Sequence, residues 1–306
     1  MSLKFLSKDE AIQLINNSSY FDTFNINELM IRTNGKGRLY YLENVIEFNK
    51  SDKVVLVQLF NMVFNLMKQK INSLFPTCPI YLIKMKSGVD WDYPFTIENA
   101  IVLTEKVINQ YINCSQQLQI DYQQKSGYHR NLVRPTIEPI LSNACTLFHE
   151  VLHIVQRKPT KKQYDIIYNI YKEWGFSRIM PTDLKFNEKL SYVPISNPDG
   201  YNFNYLVKVR STINVNSFQL FLPTLIYSQE AKRPRGILIE VIPDVDNKFL
   251  ITNNFNYIEA YQQYTDMFRD VHQCLYHPNE IFATIISEWV VQNTVYDKLL
   301  STYNLF

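Results

Sequence analysis

The chain has 306 residues, of which 46% are hydrophobic and 20% are charged, a composition typical of a globular protein with a substantial core. Its formal net charge is +2 and it has no dense basic run, so neither nucleic acid nor an anionic membrane surface is an expected partner. Only 7 residues are glycine, and no glycine-rich phosphate-binding motif occurs, which disfavours nucleotide chemistry.

The amino-terminal residues do not resemble a signal peptide, because charge begins at Lys8 and no sustained apolar run precedes it. The most apolar stretch, residues 54–67, is interrupted by Gln58, Asn61 and Asn65 and is too short to span a bilayer. The 4 cysteines form no C-x-x-C pair, which favours a reduced compartment. We therefore expect an intracellular protein.

The first part of the chain is predicted to be mainly helical. Ser7 and Glu10 have the spacing of a capping box and would begin a short helix. The aromatic stretch 40–42 is interpreted as strand or loop. A long helix is then predicted over residues 51–73, with Ser51 as its N-cap.

The next stretch alternates weakly and is predicted to form two strands, residues 80–86 and 94–103, followed by a helix over residues 104–124. The second strand suits two interpretations. It is either an edge strand that lines a cleft, where a peptide adds as an extra strand, or a plain core strand. His129 lies in the loop that follows and is interpreted as a surface histidine.

Two helices are predicted next. The first begins near residues 136–139, with Pro139 in its first turn, and ends at Lys158-Pro159. The second covers residues 161–174 and ends at Gly175, a residue suited to the left-handed conformation that follows a helix.

The pattern then changes to a β-rich insertion of about 65 residues, 186–252. Its predicted strands are residues 205–209, 218–222, 236–242 and 248–251, and its predicted turns are residues 197–200 and 243–247. Helices return at residues 257–269 and 278–300. This order of elements predicts an α+β fold, with residues 1–75 as an amino-terminal segment packed on a domain of residues 76–306.

The helix over residues 141–158 contains an H-E-x-x-H motif, His149-Glu150-Val151-Leu152-His153. Most of this helix is apolar, which predicts a buried position. Its polar residues recur at spacings of three and four and so share one face: Asn143, Thr146, His149, Glu150, His153 and Arg157. A polar stripe on a buried helix faces a cavity or a metal, because bare imidazoles and a carboxylate are costly to bury.

The histidines lie one turn apart and can hold one ion, but catalytic zinc usually takes three protein ligands and a water. Three acidic residues are candidates for the third ligand. Glu173 has the spacing from His153 of a thermolysin-like enzyme, and Asp165 is a weaker rival. Glu280 follows Pro278, so it would lie in the first turn of a long apolar helix, where a carboxylate needs a cation or a donor.

Residues 148–153 together with residues 278–283 resemble a zincin metallopeptidase of the gluzincin type. Glu280-Ile281-Phe282-Ala283 is similar to the E-x-F-A helix that supplies the glutamate ligand in lethal factor. The arrangement also resembles zincin-like proteins of large DNA viruses. The chain departs from the pattern in two ways: the β-rich insertion separates His153 from Glu280, and Thr284 stands where lethal factor has a second acidic residue.

The resemblance implies a zincin-like domain with an active-site helix, a small mixed sheet and one zinc ion held by His149, His153 and Glu280. It implies that Glu150 is the general base of a hydrolase acting on a protein or peptide. The oxyanion usually needs a further donor, and Tyr276 is the first candidate, with Tyr192 and Tyr201 as others. If the chain is viral, the host cytoplasm or the virion is the expected location.

Other interpretations stay open. His272, Cys274 and His277 form a cluster near Glu280 that could supply outer-shell groups or an alternative metal set. The chain could also be a non-enzymatic protein that keeps a zincin fold, for example in a virion, although Glu150 argues against this. A zinc hydrolase of another bond is equally compatible with the motif. The sequence does not predict an oligomeric state.

Overall fold

The structure, a computed structural model, describes residues 2–24, 26–124, 134–186, 194–195, 204–210, 217–228, 233–245, 248–268 and 275–292. It is a mixed α and β structure, as predicted. The chain divides into two compact units. Unit 1 comprises Met1–Ser18, Lys36–Pro159 and Ile285–Phe306, and unit 2 comprises Ser19–Gly35 and Thr160–Thr284. The predicted division at residue 75 stays a prediction.

The helices and strands are numbered in chain order within the described residues. The helices are α1 Lys8–Asn17, α2 Ile26–Thr33, α3 Arg38–Glu43, α4 Lys50–Lys70, α5 Glu105–Gln124, α6 Arg134–Arg157, α7 Lys161–Glu173, α8 Gln262–Thr265 and α9 Pro278–Gln292. The strands are β1 Leu3–Phe5, β2 Val45–Ile46, β3 Ile80–Met85, β4 Phe95–Ile97, β5 Ala100–Thr104, β6 Phe176–Ile179, β7 Leu184–Phe186, β8 Pro194–Ile195, β9 Asn204–Arg210, β10 Phe218–Ser228, β11 Arg233–Pro243 and β12 Phe249–Tyr257. None of the described helices has both the length and the apolar character needed to cross a membrane.

Unit 1 is built on a small mixed sheet with the strand order β1-β3-β5-β4, in which β2 also pairs with β3. Strands β1, β3 and β5 run parallel, and β2 and β4 run antiparallel to their neighbours. Helices α4, α5 and α6 pack against one another, and α5 and α6 contact the sheet. Strands β3 and β5 are almost entirely buried, as expected for parallel strands covered by helices.

Capping boxes begin two helices of unit 1. Ser7 and Glu10 cap α1 as predicted. The predicted N-cap of α4 is wrong, because the side chain of Asn49, not that of Ser51, accepts a hydrogen bond from the Asp52 N–H. The Asp52 carboxylate in turn accepts a hydrogen bond from the Asn49 N–H. Both residue types suit the cap, and the carboxylate of Asp52 at the third helical position selects Asn49.

Residues 40–42 form part of helix α3 rather than the predicted strand or loop. Tyr41 is fully buried there, and its hydroxyl donates to the Asp90 carboxylate at 3.1 Å. The β propensity of two adjacent tyrosines is therefore overridden by this tertiary contact.

The single strand predicted over residues 94–103 is in fact the hairpin β4–β5, closed by Glu98 and Asn99. Strand β4 ends the sheet order, but Thr96 is fully buried. The Arg157 guanidinium, at the end of α6, donates to the Thr96 carbonyl at 3.3 Å and to the Glu98 carbonyl at 2.6 Å. A peptide that added to β4 would compete with Arg157 at Thr96.

Helix α5 agrees with its prediction, whereas α6 starts at Arg134, before the predicted region. Pro139 therefore lies inside α6 and not in its first turn. His129 lies outside the described residues.

Unit 2 is organised around a second sheet, with the order β6-β9-β10-β11-β12-β7 and β8 paired to β10. The four strands predicted in the insertion are confirmed as β9 to β12, and the sheet extends beyond both predicted limits, from Phe176 to Tyr257. Its apolar cluster includes Leu206, Ile237 and Ile251. The predicted turn at residues 197–200 lies outside the described residues, as does part of the turn at residues 243–247.

Two helices of unit 2 flank this sheet in the sequence. Helix α7 begins at a Thr160–Gln163 capping box and is followed by Gly175 with φ of +81°, as predicted. The helix predicted over residues 257–269 is replaced by α8 and two short 3-10 segments. Helix α9 begins at Pro278 as predicted, and the boundary between the two units falls inside it, after Thr284.

Candidate metal centre

His149 and His153 lie one turn apart on α6, and their rings face each other. Their Nε2 atoms are 2.8 Å apart, and the ring centroids are 4.5 Å apart at an interplanar angle of 82°. Two nitrogens bound to one tetrahedral zinc at about 2.0 Å would lie about 3.3 Å apart. A small outward rotation of either ring therefore makes room for the ion, and the predicted convergence of the two imidazoles is present.

Gln156 orients one of these rings. Its Oε1 atom lies 2.8 Å from His153 Nδ1, and both residues are buried. An amide oxygen can only accept a hydrogen bond, so Nδ1 carries the proton and Nε2 keeps its lone pair for a metal. This contact performs the orienting role that a carboxylate or carbonyl plays behind most metal-bound histidines.

Helix α6 holds the motif in the core of unit 1. Leu147, Phe148, Val151 and Leu152 are fully buried around it. Packing on these sides restricts movement of the helix backbone. The polar stripe thus lies on a helix whose apolar faces are packed in the core, as the sequence predicts.

Glu280 lies in the first turn of α9 and is 4% exposed to solvent. His277 starts this helix: its Nδ1 atom accepts the Asn279 N–H at 3.2 Å, and its carbonyl accepts the Ile281 N–H. The Tyr171 hydroxyl of α7 donates to Asn279 Oδ1 at 2.8 Å. The positive end of the helix dipole favours a carboxylate at this position.

Within unit 1, the part of α9 that follows Thr284 contacts α6. Cys145 Sγ is 3.7 Å from the Ser287 carbonyl. Cys145 precedes His149 by one turn of α6, and Ser287 follows Glu280 by two turns of α9. Burial, and then the charge of Glu288, raises the pKa of Cys145 to about 12, which keeps this thiol protonated.

His149, His153 and Glu280 form a group whose candidate ligand atoms all lie within 4.8 Å of one another. It is the one such His, Cys, Asp and Glu group among the described residues. Two imidazoles and one carboxylate are a ligand set typical of catalytic zinc, with one position left for water. The donor types and their convergence therefore fit a zinc ion.

The rival ligands lie elsewhere. Glu173 and Asp165 are both exposed on α7, and neither belongs to the group found among the described residues. The hypothesis that Glu173 is the third ligand therefore has no support from the geometry, whereas Glu280 has the required proximity.

Glu150 follows the first histidine, is 4% exposed, and is not a member of the ligand group. Tyr111 lies on α5, which packs on α6. Burial, and secondarily the negative charge of Glu150, raises the pKa of the Tyr111 phenol. Its predicted role as the general base stays a prediction.

The other predicted site residues are Tyr276, whose contacts are described, and four residues that are not. Tyr276 is partly buried, and its Cβ lies 3.4 Å from the point where a Cβ on Gly236 would stand, so it packs against β11. Its predicted role as an oxyanion donor stays a prediction. Tyr192, Tyr201, His272 and Cys274 lie outside the described residues.

The sequence interpretation missed two features of the site: the contact of Gln156 with His153, and the hydrogen bond by which His277 caps α9. Gln156 was detectable, because it follows His153 by three residues on the polar face of α6. The cap was not, because a histidine before a helix does not by itself show which backbone N–H its ring accepts.

The chain was compared with protein-family models, with curated proteins and with solved structures, and none of the three comparisons finds a match.

Proposed function

We propose that this protein is a zinc-dependent peptidase of the zincin type. The observation that carries the proposal is the convergence of His149, His153 and Glu280 within 4.8 Å. The H-E-x-x-H spacing and the E-x-F-A helix predict the same three residues from the sequence. Two short motifs far apart in the chain thus meet in one group of metal-ligand type.

His149 and His153 would present Nε2 atoms to the ion, with the Gln156 amide holding the ring of His153. Glu280 would add a carboxylate oxygen, and its charge would offset part of the charge of the cation. Zinc, when bound, lowers the pKa of water toward 7 and polarises a carbonyl oxygen.

Glu150 is the proposed general base. Its carboxylate would accept a proton from the attacking water and later deliver it to the leaving amine of the substrate. A structural metal site has no need of such a residue. The presence of a buried carboxylate directly after His149 therefore favours catalysis over a purely structural role.

The proposed substrate is a protein or peptide. Support comes from the resemblance to gluzincins and from the small mixed sheet beside α6, in which β4 is antiparallel to β5. Tyr276 is the proposed oxyanion donor. A phenol placed near the developing charge would contribute to catalysis in the manner of other oxyanion donors.

Glu150→Gln tests the proposal, with Glu173→Gln as the matched control because Glu173 is an exposed glutamate outside the group. Cleavage of a denatured protein mixture by Glu150→Gln should fall by about 10²- to 10⁴-fold. Zinc content should be unchanged, and the control should retain full activity. Zinc-loaded wild-type protein that cleaves no peptide bond in the mixture would contradict the proposed peptidase function.

A further inference from the structure

Strand β4 is the last strand of the unit 1 sheet, so one of its edges has no strand beside it among the described residues. The hairpin register fixes which backbone groups point to that edge. Ile97 pairs with Ala100 across the two-residue turn, and the pair that closes such a turn exchanges hydrogen bonds. The next pair along the ladder, Thr96 and Ile101, therefore does not. The backbone N–H and C=O of Thr96 thus point away from β5, toward the free edge.

The Arg157 guanidinium occupies this edge. Its Nη2 atom donates to the Thr96 carbonyl at 3.3 Å and to the Thr96 hydroxyl at 2.7 Å, and its Nη1 atom donates to the Glu98 carbonyl at 2.6 Å. Of the three residues of β4, Thr96 alone directs its carbonyl outward, because Phe95 and Ile97 exchange their hydrogen bonds with β5. One side chain therefore fills the carbonyl that an added strand would need.

Arg157 also lies on the same side of α6 as the candidate histidine ligands. It is the last residue of the helix and follows His153 by four positions, as His153 follows His149, and residues at this spacing share one face. By the helical rise, the Cα atom of Arg157 lies about 6 Å beyond that of His153 along the axis, the length of roughly two residues of an extended chain. A peptide bound at the candidate metal centre would therefore meet Arg157 within a few residues.

The adjacent Lys158 fastens the same hairpin through a different group. Its Nζ atom lies 3.0 Å from one carboxylate oxygen of Glu98, and the Ser18 hydroxyl donates to the other oxygen at 3.1 Å. Arg157 thus holds backbone carbonyls of the hairpin, whereas Lys158 holds a side-chain carboxylate. The two neighbouring cations therefore separate an effect on the edge of β4 from an effect of charge or of hairpin anchoring.

We propose that Arg157 determines which peptides unit 1 can hold, by keeping extended segments from pairing with β4. A segment that added to this strand would have to displace the guanidinium from the Thr96 carbonyl. The displaced hydrogen bond is charge-assisted and stronger than the backbone bond that would replace it. Because strand addition gains its affinity from such backbone bonds, the exchange is unfavourable. Resting on the proposed peptidase function, this predicts that substrates reach the metal without forming a strand beside β4.

The ordinary alternative is that Arg157 only fastens the end of α6 to the hairpin. Helix α6 contacts β4, and Thr96 is fully buried, so the body of the helix could cover the edge by itself. Removal of the guanidinium would then lower the free energy of unfolding without creating a surface for strand addition.

The test measures the binding of a fluorescent peptide of alternating threonine and valine, flanked by charged residues, to the full chain. Arg157→Gln should bind this peptide about tenfold more tightly than the wild type, because a charge-assisted hydrogen bond no longer has to be broken. Lys158→Gln removes the same charge one residue away and should bind like the wild type. A peptide with prolines at the pairing positions, which lack the N–H, should gain nothing from Arg157→Gln.

Three results would overturn the proposal: wild-type affinity in folded Arg157→Gln, an equal gain in Lys158→Gln, or an equal gain for the proline peptide. Arg157→Lys covers the case in which Arg157→Gln does not fold. It keeps the charge but loses the planar fork of donors, so its gain should be smaller, about threefold. No gain in the folded lysine variant would also overturn the proposal.

The binding measurement needs neither zinc nor cleavage, so its failure is distinct from failure of the proposed function. In protein that cleaves peptides, Arg157→Gln should lower KM for an extended substrate and leave kcat unchanged. A lowered kcat at constant KM would instead assign Arg157 to the positioning of α6 and overturn its role at the edge of β4.

Discussion

Helices α6 and α9 supply the candidate ligands by different means. On α6, the helix itself brings His149 and His153 together, one turn apart, and Gln156 orients His153 from the same helix. On α9, the position of Glu280 depends on contacts far apart in sequence, such as that between Tyr171 and Asn279. The comparison teaches that the local half of this site can be predicted from spacing, whereas the remote half requires the tertiary structure.

The largest effect is expected when both histidine ligands of α6 are removed. The double variant His149→Ala/His153→Ala should lower zinc affinity by far more than about 100-fold, the upper range for loss of an outer-shell partner, because two of three ligands are lost. Zinc would be measured by metal analysis after gel filtration. His129→Ala provides a matched control and should retain zinc. Equal zinc in the double variant and the wild type would contradict the assignment.

Removing Glu280, the candidate ligand on α9, should have the next largest effect. Glu280→Ala should lose most bound zinc, because only two neutral imidazoles stay to hold a dication. Glu173→Ala, on α7, should retain it. A chelator competition titration measures both affinities. Loss of zinc in Glu173→Ala with retention in Glu280→Ala would reverse the choice of third ligand.

An intermediate effect is expected from Gln156, which acts within α6. Gln156→Leu removes the acceptor for His153 Nδ1–H and should weaken zinc binding about 10- to 100-fold. Gln156→Glu restores an acceptor at the same reach. Its zinc affinity should therefore be higher than that of Gln156→Leu. Wild-type affinity in Gln156→Leu would show that the contact does not orient the ring.

The smallest effect is expected at the base of α9. Tyr171→Phe removes the hydrogen bond to Asn279 and should lower the free energy of unfolding by about 1 kcal/mol, because one buried hydrogen bond is lost. Zinc affinity should fall only slightly, since His277 still caps α9. Denaturant unfolding and zinc titration would be compared with Tyr41→Phe. A large loss of zinc with unchanged stability would instead make Tyr171 part of the metal centre.

The difference between the two helices also explains what the sequence could predict. The apolar flanks of the H-E-x-x-H motif predicted a buried helix, and residues 147–156 of α6 are buried as expected, except for the half-buried His149. The strands of the insertion were found by alternation, which depends only on neighbouring residues. Glu280 could be nominated only through Pro278 and a family resemblance, because its distance from His153 along the chain carries no geometric information.

The errors follow the same division. Residues 40–42 form a helix because Tyr41 contacts Asp90, a partner 49 positions away. The hairpin β4–β5 turns at Glu98, where φ is +54°, a conformation uncommon for a glutamate. No local sequence pattern indicates such a turn, so one strand was predicted where there are two.

The most direct test of the metal centre is a crystal structure of the zinc-loaded protein with anomalous scattering data at the zinc edge. The account predicts one anomalous peak about 2.0–2.2 Å from His149 Nε2, His153 Nε2 and a carboxylate oxygen of Glu280. A zinc peak held by other residues, or no peak beside His149 and His153 in protein that contains zinc, would contradict it.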